Sequence, residues 1–196
     1  MYHVLLSSYK KISCVALLAA IQLVSAPVAF SAADELQPEQ ISNAIEQAKK
    51  WLIRQQSPNG TWKSAMRTDE TVVGATALVV LALANAGVDA DKPAMKKALT
   101  WLREQTPTDT YSVSLQTQAL AMVSPKQDLA ILERNTRWLE DRQSSGPGVT
   151  GGWSYGANRS GADNSNSQFA ILGLHEAQRA GVRVNPNVWK LSQKYW

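Results

Sequence analysis

Three aspartates stand where a helical chain can assemble a reactive site. Asp69, Asp109 and Asp163 each precede an uncharged, largely apolar stretch, close to Thr71, Thr110 and Ser165. If those stretches are parallel helices, the three carboxylates gather at one end of a shared cavity. Oxygen ligands there suit a hard cation such as calcium, and a carboxyl group can serve as an acid or base. The same positions also suit helix capping, in which an Asp accepts the free N–H groups of a first turn and opposes the helix dipole. Capping explains the placement fully, so no metal or cofactor is assigned and the three acids stand only as catalytic candidates. The richest polar run is Asp163-Asn164-Ser165-Asn166-Ser167-Gln168. Asn and Ser compete for backbone hydrogen bonds inside helices, so this crowding predicts a solvent-filled mouth or bonding to a ligand. Asn164, Ser165, Asn166 and Gln168, with Tyr155 and Phe169 nearby, are therefore the candidate binding residues for an apolar or carbohydrate ligand. Arg159, in a glycine-bounded loop, can meet an anion, and His175 reads as a packing residue.

Absences narrow the chemistry further. The chain has 196 residues, 44% hydrophobic and 18% charged, which suits one folded domain and excludes a disordered chain. Residues 1–33 read as an export leader, with basic Lys10 and Lys11, an apolar run from Ile12 to Val24, a break at Pro27, and small residues at Ala29, Ser31, Ala32 and Ala33. An uncleaved membrane anchor over residues 12–30 is the alternative reading, and no further membrane span is expected. The sole cysteine, Cys14, lies inside the leader. The remainder, residues 34–196, thus has no disulfide, no thiol nucleophile and no thiolate metal ligand. Its one histidine, His175, rules out a His-pair metal site. The 20 basic residues, less Lys10 and Lys11, against 16 acidic ones leave a charge of +2. No Lys/Arg run exceeds two residues, which excludes a nucleic-acid partner.

The elements that must position these residues are helical. Ile41, Ala44, Ile45, Ala48 and Leu52 recur at helix spacing up to the break at Ser57-Pro58-Asn59-Gly60. Thr71 to Ala86 is apolar almost all round, which predicts a helix buried on most sides. Asp91-Lys92-Pro93 opens a third helix reaching about Glu104, and Tyr111 to Val123 is an uncharged fourth. Ser124, Pro125 and Gln127 predict an N-cap at Ser124 for a fifth, which carries Leu129, Ile131, Leu132, Trp138 and Leu139. A sixth covers about Asn166 to Ala180, and a seventh opens at Asn185-Pro186. Alternating strand patterns are missing. The second, fourth and sixth helices are poor in charge and the first, third and fifth amphipathic. An all-α double layer follows, with inner uncharged helices wrapped by outer ones in helical hairpins.

The chain also repeats itself. Trp51-Leu52, Trp101-Leu102 and Trp138-Leu139 each close an outer helix and are followed by Gln55, Gln105 and Gln143. Trp51 to Trp62 (WLIRQQSPNGTW) and Trp138 to Trp153 (WLEDRQSSGPGVTGGW) resemble the QW repeat of the squalene–hopene cyclase and protein prenyltransferase superfamily. The resemblance implies an α/α toroid, in which Trp51, Gln55, Gly60, Trp62, Trp138, Gln143, Gly152 and Trp153 serve structure. It also implies an incomplete ring over residues 34–196, whose partner is the remaining repeats of a longer chain. The proton-donating D-x-D-D motif of the cyclases maps onto Asp163, Ser165 and Asn166, so its donor is replaced by a serine that cannot protonate an alkene. The zinc ligands of prenyltransferases are absent, as is the cysteine of a complement-type thioester toroid. The expectation is an exported, non-cyclising binding or scaffold module. The alternatives are a terpene cyclase with its catalytic half in further repeats, and an exported α/α-barrel enzyme acting on polysaccharide through Asp109 or Asp163. Whether the chain is an enzyme stays open at this level.

Overall fold

The computed structural model describes residues 37–63, 69–156 and 161–196, with the side chains of Asp69 and Glu70 left aside. The leader read over residues 1–33 and the anion-binding candidate Arg159 lie outside the described residues. Seven helices occur among the described residues: α1 (Pro38–Arg54), α2 (Asp69–Asn85), α3 (Pro93–Arg103), α4 (Thr110–Val123), α5 (Leu129–Arg142), α6 (Asn164–Arg179) and α7 (Pro186–Tyr195). No strand accompanies them there beyond a single antiparallel bridge between Trp153 and Asp163. The protein is all-α. The stretch Ser42–Trp196 forms one compact unit, and of the preceding Met1–Ile41 the described part is the start of α1.

Within the larger unit α4 lies at the centre, because its composition gives it no charged face for water. Ten of its fourteen residues are buried, including Ser112, Ser114, Gln116 and Thr117 as well as Val113, Leu115 and Leu120. It packs between α2 and α6. Each contact is made close by a glycine: a Cβ on Gly74 of α2 would stand 2.8 Å from the Tyr111 ring, and one on Gly173 of α6 3.1 Å from Ser114 Cα. Outside this layer, α3 turns Met95, Ala98, Leu99 and Leu102 inward. α5 buries Leu132, Asn135, Thr136 and Leu139. Both α2 and α6 end at a glycine with positive φ, Gly87 and Gly181. Val88 N–H reaches back to Leu83 O, and Val182 N–H to Ala177 O, each at about 3 Å, satisfying carbonyls that helix ends otherwise leave open.

Three features differ from the sequence expectation. The uncharged helices are not covered all round: Leu78 of α2, Met122 of α4 and Leu172 of α6 are each 40–47% exposed. α1 buries none of its residues, so Ile45, Trp51 and Ile53 face water although the helix is amphipathic. An amphipathic pattern marks a face fit for burial, but burial needs a neighbour.

The third difference is the start of α5, at Leu129 instead of just after Ser124. Residues 125–128 form a turn closed by Asp128 N–H on Ser124 O at 3.0 Å. The Asp128 carboxylate, 2% exposed, accepts Arg103 Nε at 2.7 Å and Nη2 at 3.1 Å, and the Ser124 hydroxyl as well. Ser124 thus donates to a buried ion pair instead of capping. A cap contributes about 1 kcal/mol, less than the cost of leaving a buried carboxylate without its cation.

Candidate functional site

Two of the three predicted acids, Asp109 and Asp163, stand at the N-terminal ends of α4 and α6. Asp109 is the N-cap of α4, and its Oδ1 accepts Ser112 N–H at 2.8 Å. Asp163 is the N-cap of α6, accepting Asn166 N–H at 2.8 Å, the Ser165 hydroxyl at 2.7 Å and Asn166 Nδ2 at 2.9 Å. The strip Trp153–Tyr155 runs between them. Thr110 N–H bonds Tyr155 O, the Thr110 hydroxyl bonds Ser154 O, and Asp163 N–H bonds Trp153 O at 2.9 Å. Burial alone would raise the Asp163 pKa. The donors from the Asn166 backbone, the Ser165 hydroxyl, the Asn166 amide and the Ser165 backbone outweigh it and hold the carboxyl below its ordinary range. At neutral pH Asp163 is an anion with its lone pairs engaged. It is built to accept protons' hydrogen bonds, not to give up a proton.

The remaining candidates are dispersed around this cap. Asn164 Oδ1 accepts the Tyr195 hydroxyl at 3.1 Å, and Ser165 is spent on Asp163. Asn166 is buried, and its Oδ1 has no hydrogen-bond partner among the described residues. Gln168 is exposed, and Tyr155 is 63% exposed. Phe169 packs edge-on against Tyr111 at 4.7 Å. Burial, then the charge of Asp109 and the Tyr155 phenol, raise the Tyr111 pKa, so that phenol stays neutral. Asp69 is the first residue of α2 instead of its cap. Among the described residues no three His, Cys, Asp or Glu side chains converge as a cation site.

The capping geometry carries a prediction. Asp163→Ala should cost about 1 kcal/mol in urea unfolding at pH 7. A carboxylate whose folded pKa is depressed adds stability above its unfolded value, about 3.9, and loses it as pH falls through the folded value. The gap between wild type and Asp163→Ala should therefore shrink below about pH 4. A gap that stayed constant down to acid pH would show that the carboxylate charge contributes nothing.

Two tryptophan loops repeat the same construction. Trp62 Nε1 donates to Leu52 O and Trp153 Nε1 to Leu139 O, both at 2.8 Å. Trp62 N–H bonds the Thr76 hydroxyl and Trp153 N–H the Ser167 hydroxyl, tying each loop to the following helix. Gln143 Nε2 bridges Gly151 O and Val188 O at 3.0 Å each. In the first loop the equivalent is Gln56, not Gln55: Gln56 Nε2 bonds Gly60 O at 3.0 Å and Ala94 O at 2.8 Å, while Gln55 is exposed. Both Gln56 and Gln143 lie five residues after the first Trp of their segment, so counting from that Trp finds the register. The glycine equivalent to Gly60 is likewise Gly151. Their φ values are +92° and +100°, and a Cβ on either would strike the backbone of Lys97 or Leu191. Gly152 is tight for another reason, lying against Ala162 and the Tyr195 ring. Trp51 is 55% exposed, and Trp138 lies under the Arg142 guanidinium at 5.3 Å.

Sequence reasoning missed the polar centre of the unit. At the second Trp-Leu pair, Trp101-Leu102, the Leu102 carbonyl takes Gln116 Nε2 at 2.7 Å in place of an indole N–H. Gln116 Oε1 in turn accepts Asn135 Nδ2 at 2.9 Å and Arg134 Nη2 at 3.2 Å, and Asn135 also bonds the Thr117 hydroxyl. The uncharged character of α4 concealed this, since Gln and Thr count as polar in any pattern and only packing shows them to be buried.

The comparisons decide between families that share these helices. A family model described as the A-macroglobulin TED domain matches residues 19–167, well over half of the chain. The chain belongs to the A-macroglobulin TED domain family. No curated protein matches it, and no solved structure does. This TED-family membership overturns the resemblance to squalene–hopene cyclases and protein prenyltransferases. The non-cyclising module of that superfamily, the terpene cyclase and the polysaccharide-active barrel fall with it. The tryptophan punctuation is not a QW signature here. The exclusion of a thioester-type toroid is corrected too, because membership does not require the cysteine. The chemical premise behind that exclusion remains, since residues 19–167 contain no cysteine and Cys14 precedes them.

Proposed function

We propose that this chain is an exported TED-family domain that works without a thioester, through non-covalent contacts alone. The observation that carries the reading is a TED match over a stretch with no thiol. A thioester is an acyl group on a cysteine sulfur, and the matched residues offer no such sulfur. The packing agrees with a structural end where a reactive one would need an open carboxyl or nucleophile: Asp109 and Asp163 are occupied as caps. Export rests on the leader pattern of residues 1–33, and its removal takes Cys14 with it. The open faces of α1, at Ile45, Trp51 and Ile53, suit further helices of a longer chain completing the layer.

Intact-mass measurement of the full chain before and after incubation with methylamine tests this reading. The expected result is an unchanged mass together with a mature N-terminus near residues 32–34. A methylamine adduct, or a hydroxylamine-sensitive bond to a captured protein, would refute it.

A further inference from the structure

The last turns of α2, α4 and α6 converge on a cavity of about 450 Å³, lined among others by Asn85, Gln118, Met122, Leu172, Glu176 and Arg179. We propose that this cavity binds an organic cation on an aliphatic stem, an ammonium or guanidinium group. The inference goes beyond the thioester-free reading and does not depend on it.

Two carboxamide oxygens on the cavity wall are spare acceptors, beside the Arg179 guanidinium, whose Nη1 is held by Glu176. Asn85 Nδ2 is turned back onto Leu81 O at 2.8 Å and the Met122 sulfur at 3.6 Å. Gln118 Nε2 is turned back onto Ser114 O at 3.3 Å. Both carboxamide oxygens therefore remain, and among the described residues neither accepts a hydrogen bond. Backbone carbonyls add to them. Pro125 has no N–H to offer Ala121 O, and among the described residues no backbone N–H beyond the helix reaches the carbonyls of Ala121 or Met122. A helix C-terminus carries roughly half a negative charge, and three meet here. The last turns of α2 and α4 hold no basic residue, and that of α6 holds Arg179.

The side-chain charges leave room for the guest. Glu176 is held by Arg179 Nη1, 3.2 Å from both carboxylate oxygens, and His175 Nδ1 lies 3.2 Å from one of them. The Arg179 side chain is 68% exposed, so it can swing into water and yield Glu176 to an incoming cation. Leu81, Met122 and Leu172 supply an apolar wall for the stem, and the Met122 thioether is polarisable. A free small cation and a Lys or Arg side chain of a protein share this chemistry.

The test is methyl NMR of the full chain labelled at methionine, titrated with n-butylammonium, n-butylguanidinium and the neutral n-butylurea. A Gly-flanked arginine tetrapeptide is the fourth probe. The Met122 methyl should shift with the cations, and n-butylurea should bind about tenfold more weakly. Glu176→Gln, a surface change that leaves the core intact, should weaken the cations about fivefold and leave n-butylurea unmoved. If the tetrapeptide binds at least tenfold tighter than the free cations, the guest is a protein side chain. If it does not, the guest is a small molecule, and either result supports the site. An unmoved Met122 methyl with every probe, or equal binding of urea and guanidinium, overturns the proposal.

Discussion

Trp153→Ala is expected to destabilise the protein by about 4 kcal/mol. The indole is fully buried, and it anchors the cluster of Val113, Leu139, Ala170, Leu174, Val184 and Val188. Truncation removes the largest buried side chain and opens a cavity that Gly152, pressed against Ala162 and Tyr195, is poorly placed to fill by shifting. It also strips Leu139 O of its donor, near the end of α5 where carbonyls have few alternatives. Trp153→Phe separates these effects. It keeps most of the volume but loses the N–H and the smaller part of the indole, so about 1–2 kcal/mol is expected. Trp51→Ala provides the contrast: at 55% exposure it should change stability by under about 0.5 kcal/mol. Urea unfolding with unchanged slope measures all three. A Trp153→Ala protein within about 1 kcal/mol of wild type would mean that the second core does not depend on the indole.

Arg103→Met should cost about 3 kcal/mol or more. Its guanidinium grips both oxygens of Asp128, a carboxylate only 2% exposed, and also reaches the Ser124 hydroxyl at 3.0 Å and Gln127 Oε1 at 3.2 Å. Removing it leaves a buried charge with hydroxyl help alone. The turn at residues 125–128 then loses the contact that fixes where α5 begins. The double variant Arg103→Met/Asp128→Asn should recover part of the loss, because the uncompensated charge is gone. Strict additivity of the two single effects in a double-mutant cycle would show that the pair is not coupled.

How much of this was legible beforehand varied with the kind of signal. Helix existence followed from apolar spacing and from Pro93 and Pro186 at first-turn positions, since these are local properties of a segment. Helix starts failed where a distant partner intervened: Ser124-Pro125 reads as a cap until Arg103, from another helix, claims the Asp128 it would compete with. The tie by Gln56 was missed by one residue because Gln55 and Gln56 are chemically identical in sequence. Only the position of Ala94 O shows which one reaches it. At the α6 terminus the polar run was rightly singled out, yet its donors turn onto Asp163 itself. The family was misread for a related reason. In this chain Trp62, Trp153, Gln56, Gln143, Gly60 and Gly151 answer a packing demand, tying helix ends to loops, and a packing demand does not single out one family.

Composition and short-range periodicity suffice for the all-helical class, the near-neutral charge of residues 34–196 and the lack of a thiol there. Which Gln ties a loop, the burial of Asp128 on Arg103, and the shared cavity of Asn85 and Gln118 emerge only when the helices pack. Such facts depend on residues far apart in the chain meeting within a few ångströms, and no local pattern encodes that distance.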